Sequence, residues 1–220
     1  MAGPSTVRFR RAVGIPPGVG LYDRYLATRV RLSDAHLPET VALVITERDL
    51  LGDGAYATLQ RFFDWAVQYG TETVVVYVSV LDEEAIPTLR RELENVAAPM
   101  EMAVRVPDDE STADAPIQVS IGLGGKSEFA TAVQKLAEDV DQGALAPDDI
   151  DEAAVEEHLV FPTDPDFVIK TGAERLSDFM IWQSVYSELY FTDVNWRNFR
   201  QRDYLRALRD YQERQRRFGR

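Results

Sequence analysis

The sequence predicts an α/β fold: a mostly parallel central sheet of about six strands flanked by helices. Three observations predict it. Short apolar runs rich in β-branched residues recur along the chain, of the kind that fill strands buried on both faces. Stretches with helical spacing alternate with most of them, which is the pattern of a sheet covered on both sides. No internal repeat and no second core are visible, so residues 20–220 read as one domain and residues 1–19 as a flexible N-terminal arm.

The elements follow in order. Residues 20–33 (GLYDRYLATRVRLS) have helical spacing, with Leu21, Tyr25 and Leu32 on roughly one face. TVALVIT (40–46) reads as a buried strand. Residues 54–69 set Leu59, Phe62, Phe63 and Ala66 on one stripe, and Gly70 ends that helix. TVVVYVSV (73–80) is the clearest buried strand, followed by a helix over 82–97 with Asp82 as N-cap. MEMAVRV (100–106) is the third strand, 107–116 a polar loop, and IQVSIGL (117–123) the fourth strand. A helix opens at Gly124–Gly125, and the acid-rich segment around 148–157 reads as a short solvated helix. DFVIK (166–170) and ELYFTDV (188–194) supply two more strands, and a final helix over 201–216 aligns Tyr204, Leu208 and Tyr211.

Composition narrows the function classes. The chain has 220 residues and a formal net charge of −13, with 21 Arg against 3 Lys. An acidic, lysine-poor surface is one solution for staying soluble in very high salt, so a halophilic source is one reading and an ordinary acidic protein the other. This charge argues against general nucleic-acid binding, which depends on neutralising phosphates. The tail differs: Gln201–Arg220 carries seven Arg and three acids, a cationic element on an anionic body. With no cysteine, disulfides, thiolate catalysis and cysteine-based zinc sites are excluded, which fits a cytoplasmic protein. No run approaches the ~18 apolar residues of a membrane span, and the N-terminus lacks the apolar run of a signal peptide. The two histidines, His36 and His158, are far apart and lack a metal-ligand pattern.

In a parallel sheet, ligands sit beyond the carboxyl ends of the strands. Gly124–Lys126 and Lys170–Arg175 both join a strand end to a helix start, where free N–H groups and a cation can hold phosphate. GGK is equally the turn of a plain strand–helix junction, and it is not a Walker A loop.

The run KTGAERLSDFMIWQSVYSELYFTDVNW, followed by DYLRALRDYQERQRRFG, closely resembles the C-terminal signature of the cis-prenyltransferases, the undecaprenyl diphosphate synthase family. LYDRYL, PETVALVI and GGKSEFATAVQKLA agree with it more weakly. The resemblance implies a dimeric α/β enzyme that adds isopentenyl diphosphate repeatedly to an allylic diphosphate, assisted by magnesium (Mg2+), with the product in a hydrophobic tunnel. It places Lys170, Arg175 and Ser177 at contacts to the isopentenyl diphosphate. Lys170 stands where the family has an arginine, keeping the charge without the fork. The stretch from Gly172 to Arg175 is one residue shorter than the family pattern. Glu188 matches the family's magnesium glutamate, an oxygen ligand suited to that ion. Arg217 and Gly219 match a terminal Arg-x-Gly element that in some members crosses the dimer. Trp182, Tyr190, Phe191 and Trp196 read as core and dimer packing rather than substrate contacts.

Two family motifs are missing. The first strand of an active member ends in an aspartate followed by Gly-Asn and an arginine-rich turn. Here Thr46 takes the aspartate position, with Glu47, Arg48 and Asp49 after it. A threonine cannot fix a magnesium ion as a carboxylate does. Instead of the Ser-Thr-Glu-Asn-Trp type motif after the second strand, the chain has SVLDEEA, keeping one acid at Asp82. The expectation is a non-catalytic or regulatory subunit that pairs with a catalytic homologue and keeps the isopentenyl side of the site. The alternatives are an active polyprenyl diphosphate synthase, with Glu47 or Asp49 in the vacant place and the chain pairing with itself, and a module that only binds isoprenoid diphosphates. Any membrane contact is expected to be transient.

Overall fold

The computed structural model describes residues 20–107, 109, 115–161, 164–172 and 179–218, with side chains described up to Arg214 in the last helix. The sequence expectations for Arg175, Ser177, Gly219 and the 1–19 arm fall outside the described residues, as does the side chain of Arg217.

The chain runs α1 (Leu21–Arg31), β1 (Thr40–Thr46), α2 (Glu47–Leu50), α3 (Ala55–Gln68), β2 (Thr73–Ser79), α4 (Ile86–Glu94), β3 (Met102–Arg105) and β4 (Ile117–Ile121). It continues as α5 (Gly125–Asp141), α6 (Glu152–Glu156), β5 (Phe167–Thr171), β6 (Glu188–Thr192) and α7 (Gln201–Phe218). Short 3₁₀ turns lie at Glu83–Ala85, Pro147–Asp149 and Trp196–Asn198. The six strands form one sheet in the order β3-β4-β2-β1-β5-β6, and every pairing is parallel. The predicted sheet is therefore present, with all of its strands.

The central strands are apolar on both faces because both faces are covered. On one side, α1, α3, α4 and α7 pack over Val41, Leu43, Ile45, Val74, Val76 and Val78. An aromatic group anchors this side. Phe62 of α3 meets Tyr204 of α7 edge-on at 5.3 Å and Trp196 at 6.0 Å, and the Trp196 indole donates to the Ala55 carbonyl at 3.1 Å. On the other side, Val44, Val75, Tyr77 and Val168 pack with Leu123, Phe161, Phe179 and Met180. Asp166 staples β5 to β1 by accepting from the Glu39 and Thr40 backbone N–H groups, both at 2.8 Å.

One expectation needs correction. The helix predicted over 82–97 is split: Asp82 caps a 3₁₀ turn, accepting from the Glu84 N–H, and the α-helix itself begins at Ile86, where Pro87 suits the first turn. The face of α1 that carries Leu21, Tyr25 and Leu32 points to solvent; Leu26, Ala27 and Val30, on the opposite side, are the buried residues. Of the four late aromatics, only Trp196 is fully buried, while Trp182 stacks on Phe129 at 5.8 Å and Phe191 is largely exposed. The stripe predicted for 54–69 is buried as expected.

α7 has an unusual placement. It runs across the amino-terminal edge of the sheet. Near its start, the Tyr204 hydroxyl is 3.4 Å from that of Thr71, just before β2. Near its end, Arg214 donates to the Leu189 carbonyl at 2.9 Å, at the opening of β6.

Candidate functional site

The chain leaves β1 toward β2 on one side, while β5 and β6 lie on the other. The junction of β1 and β5 is thus the switch point where an open parallel sheet forms its crevice. Thr46 ends β1 there. Lys170, in register with Val44, approaches the end of β5, which turns at Gly172 with φ +79°. Lys170 is only 7% exposed, and among the described residues its ammonium has neither a hydrogen bond nor an ion pair. Burial pulls its pKa below the ordinary lysine value, and the Asp49 carboxylate nearby partly restores it.

The turn after β1 is built from acids that serve the protein's own backbone. Thr46 caps α2 by accepting from the Asp49 N–H at 3.3 Å, and Asp49 Oδ2 in return accepts from the Thr46 N–H at 2.9 Å and its hydroxyl at 2.8 Å. This is a capping box with aspartate in place of glutamate. Glu47 is buried, and its Oε2 accepts from the N–H groups of Leu81 (3.0 Å) and Asp82 (3.3 Å) beyond β2. These are free donors at a strand end, the kind that elsewhere hold a bound anion; here an internal carboxylate occupies them. An open hollow of about 500 Å³ adjoins the turn, lined by Arg48, Asp49, Asp53, Asn195, Arg197 and Asn198.

Glu188 is not brought to this edge. It opens β6 opposite Phe167, level with Val41 at the other end of the sheet. Five residues separate that level from Thr46, or about 16 Å along a strand. Its carboxylate lies 3.4 Å from Arg214 of α7. Within one chain the structure gathers Thr46, Glu47, Asp49 and Lys170, and it leaves Glu188 and the approach to the tail on the opposite edge. Among the described residues no group of three or more His, Asp or Glu converges on a common point.

At the other strand–helix junction, packing accounts for Gly125. A Cβ on Gly125 would lie 2.8 Å from the Ile181 N and 3.0 Å from the Met180 N, so glycine lets the start of α5 approach that backbone. His158 is taken by Asp139 at 2.8 Å.

The sequence analysis missed Glu128. This α5 residue is 2% exposed, and its Oε1 accepts from Val160 N (2.9 Å), Phe161 N (3.2 Å) and Gln183 Nε2 (3.0 Å). It thereby ties α5 to the segments that precede β5 and β6. Burial raises its pKa, and the three donors and the charge of Arg105 oppose that rise. A signal was available: Glu128, Ala132 and Leu136 share one i, i+4, i+8 stripe, and an acid on an apolar stripe needs buried partners.

The family model described as "Putative undecaprenyl diphosphate synthase" matches residues 89–219, more than half of the chain. The chain belongs to this family. Among curated proteins, this undecaprenyl diphosphate synthase family member is 51% identical over 109 residues to the tritrans,polycis-undecaprenyl-diphosphate synthase (geranylgeranyl-diphosphate specific) of Methanocaldococcus jannaschii. That match spans 47% of this chain and 39% of the relative. It is 44% identical over 106 residues to an isoprenyl transferase of Geobacillus kaustophilus, across 47% of this chain and 42% of that protein. Among solved structures, lavandulyl diphosphate synthase from Lavandula x intermedia shares the fold with a TM-score of 0.66 and 23% identity, over 80% of this chain and 95% of that one. A probable undecaprenyl diphosphate synthase from Campylobacter jejuni gives 0.60 and 19%, over 84% and 100%.

Proposed function

We propose that this family member is a non-catalytic or regulatory subunit of polyprenyl diphosphate synthesis. It pairs with a catalytic homologue and keeps the isopentenyl diphosphate side of the site. The observation that carries this reading is the contrast at the β1–β5 crevice. The starter side is self-occupied, with Glu47 on the N–H groups beyond β2 and Asp49 on Thr46. The donor side keeps a buried cation, Lys170, with no partner among the described residues. Ionising a starter diphosphate requires concentrated positive charge, and two inward-facing carboxylates oppose it.

Magnesium does not fit the described residues of a single chain. The carboxylates at the β1 end already serve N–H and hydroxyl donors, and Glu188 lies at the opposite edge. On this reading, an ion held through Glu188 takes its other ligands from a second chain. The course of α7 supports the same view. It crosses the amino-terminal edge and passes β6 at Arg214, on the edge opposite the chain's own Lys170. Such a tail is suited to complete the site of a neighbour, and Arg175 and Ser177 are assigned with Lys170 to the donor diphosphate.

The test is prenyl transfer from isopentenyl diphosphate to geranylgeranyl diphosphate, by the purified chain alone and with each catalytic homologue from the same cell. No turnover alone and stimulated turnover in a co-purifying complex is the expected outcome. Full turnover by a homodimer defeats the proposal. One observation favours the second reading, an active synthase with a rebuilt starter site: the Asp49 carboxylate acts on the charge of Lys170 and lines the hollow that adjoins the turn. On that reading, Asp49→Asn abolishes turnover by the chain alone.

A further inference from the structure

Two features of the turn just before β6 are costly to the fold. Among the described residues, Met180 is the one non-glycine residue with a positive φ, +35°, in a region that a bulky L residue rarely enters. Three residues on, Gln183 is 3% exposed, and its Oε1 is buried without a hydrogen-bond partner among the described residues. Turning the amide over would not satisfy it, because its Nε2 donates to Glu128 Oε1 at 3.0 Å and to the Phe161 carbonyl at 3.2 Å, and both are acceptors. Such costs persist where the surroundings impose them, and they gather at functional sites.

The first turn of α5 imposes them from one side. Gly125 brings its backbone against the Met180 and Ile181 N atoms, where a Cβ would come within 3.0 and 2.8 Å. Glu128, three residues further along the helix, holds Gln183. The sheet lies on the other side. Met180 is 1% exposed in one cluster with Val44, Tyr77 and Val168, and the Phe179 ring is 5.3 Å from that of Tyr77. Lys170 shares that face. It follows Val168 by two residues and is level with Val44, which is level with Tyr77. The turn therefore covers the face of β1 and β5 on which Lys170 is buried.

We propose that Gln183 is a positioning residue for the Lys170 site. Held by Glu128, it latches the strained turn against α5 and keeps it seated on the sheet, so that the ammonium is shielded from water and set in place for a diphosphate. With the latch removed, Met180 relaxes to a negative φ, the turn lifts and Lys170 meets solvent. The inference rests on the reading of Lys170 as a contact to the donor diphosphate.

The test is a double-mutant cycle on the full chain between Gln183→Ala and Met180→Gly, with Met180→Ala as the control for the lost side chain. Glycine carries a positive φ without strain, so the latch matters less in that background. Titration calorimetry with isopentenyl diphosphate gives one readout. Carbon NMR of lysine-labelled protein gives the other: the chain has 3 Lys, Lys170→Met assigns its signal, and a soluble paramagnetic agent broadens the signals of exposed lysines. In wild type the Lys170 signal is expected to be protected; in Gln183→Ala it broadens like those of Lys126 and Lys135, which are exposed. Gln183→Ala is expected to weaken diphosphate binding about tenfold in the wild-type and Met180→Ala backgrounds, and less than about threefold in Met180→Gly. Circular dichroism checks each fold, and Gln183→Met, which keeps the volume, replaces Gln183→Ala if that variant unfolds. Equal effects in the Met180→Gly and Met180→Ala backgrounds overturn the proposal. So does a Lys170 signal that stays protected in Gln183→Ala, whether or not the diphosphate binds. If wild type does not bind the diphosphate while that signal does become exposed, the reading of Lys170 fails and the latch stands.

Discussion

Lys170→Met separates a buried charge kept for a ligand from one kept for the fold. Lys170 is only 7% exposed and its ammonium has no hydrogen-bond or ion-pair partner among the described residues; burial lowers its pKa, so its charge is held at a cost in folding. Methionine keeps the length and apolar stem without the charge. Stability is therefore expected to stay level or rise. Diphosphate binding is expected to fall, because a hydrogen bond to a charged partner contributes about 1.5–3 kcal/mol, or roughly 10- to 150-fold in affinity. Urea unfolding gives the first quantity, and titration calorimetry with isopentenyl diphosphate, on the chain and on its complex with a catalytic homologue, gives the second. The pH dependence supplies a sign. The folded pKa lies below the ordinary 10.5, so between the two values the unfolded chain holds more protons and stability rises with pH. That rise disappears in the variant. Over the same interval wild-type affinity for the diphosphate falls as the ammonium deprotonates. A variant that binds as well as wild type, or that loses several kcal/mol of stability, refutes the reasoning.

Other substitutions test the frame around the crevice. Glu128→Ala strands three buried donors and is expected to cost about 2–5 kcal/mol in urea unfolding, whereas Glu128→Gln keeps an acceptor oxygen and stays within about 1 kcal/mol of wild type. Because burial raises the Glu128 pKa, wild-type stability is expected to decline as pH climbs from the usual carboxylate range through the raised value, and the Gln variant to lose that slope. Gly125→Ala drives a Cβ against the Met180 and Ile181 backbone; a loss of about 1–3 kcal/mol is expected, with a change in the fluorescence of the neighbouring Trp182. Trp196→Ala empties the centre of the aromatic group and removes the indole's hydrogen bond to the Ala55 carbonyl; about 3–5 kcal/mol should be lost in thermal or urea unfolding.

The strands were legible in the sequence because Val, Ile and Leu runs such as TVALVIT and TVVVYVSV suit only a sheet covered on both faces. The stripe of α3 was legible because Leu59, Phe62, Phe63 and Ala66 bury one face and leave the other polar. α1 was not, because both of its faces are apolar and periodicity cannot say which one meets the core. The four-residue α2 was missed because so short a helix has no period to read; only the Thr46–Asp49 cap defines it.

By itself, the sequence determined the alternation of strands and helices and the charge balance, since each is fixed by residue type and spacing. Only the tertiary structure decided that Glu47 and Asp49 are spent on the protein's own N–H groups, that Lys170 is buried beside them, and that Glu188 faces the opposite edge. Strand register and the crossing path of α7 set those relations. They join residues tens of positions apart, which no local pattern encodes.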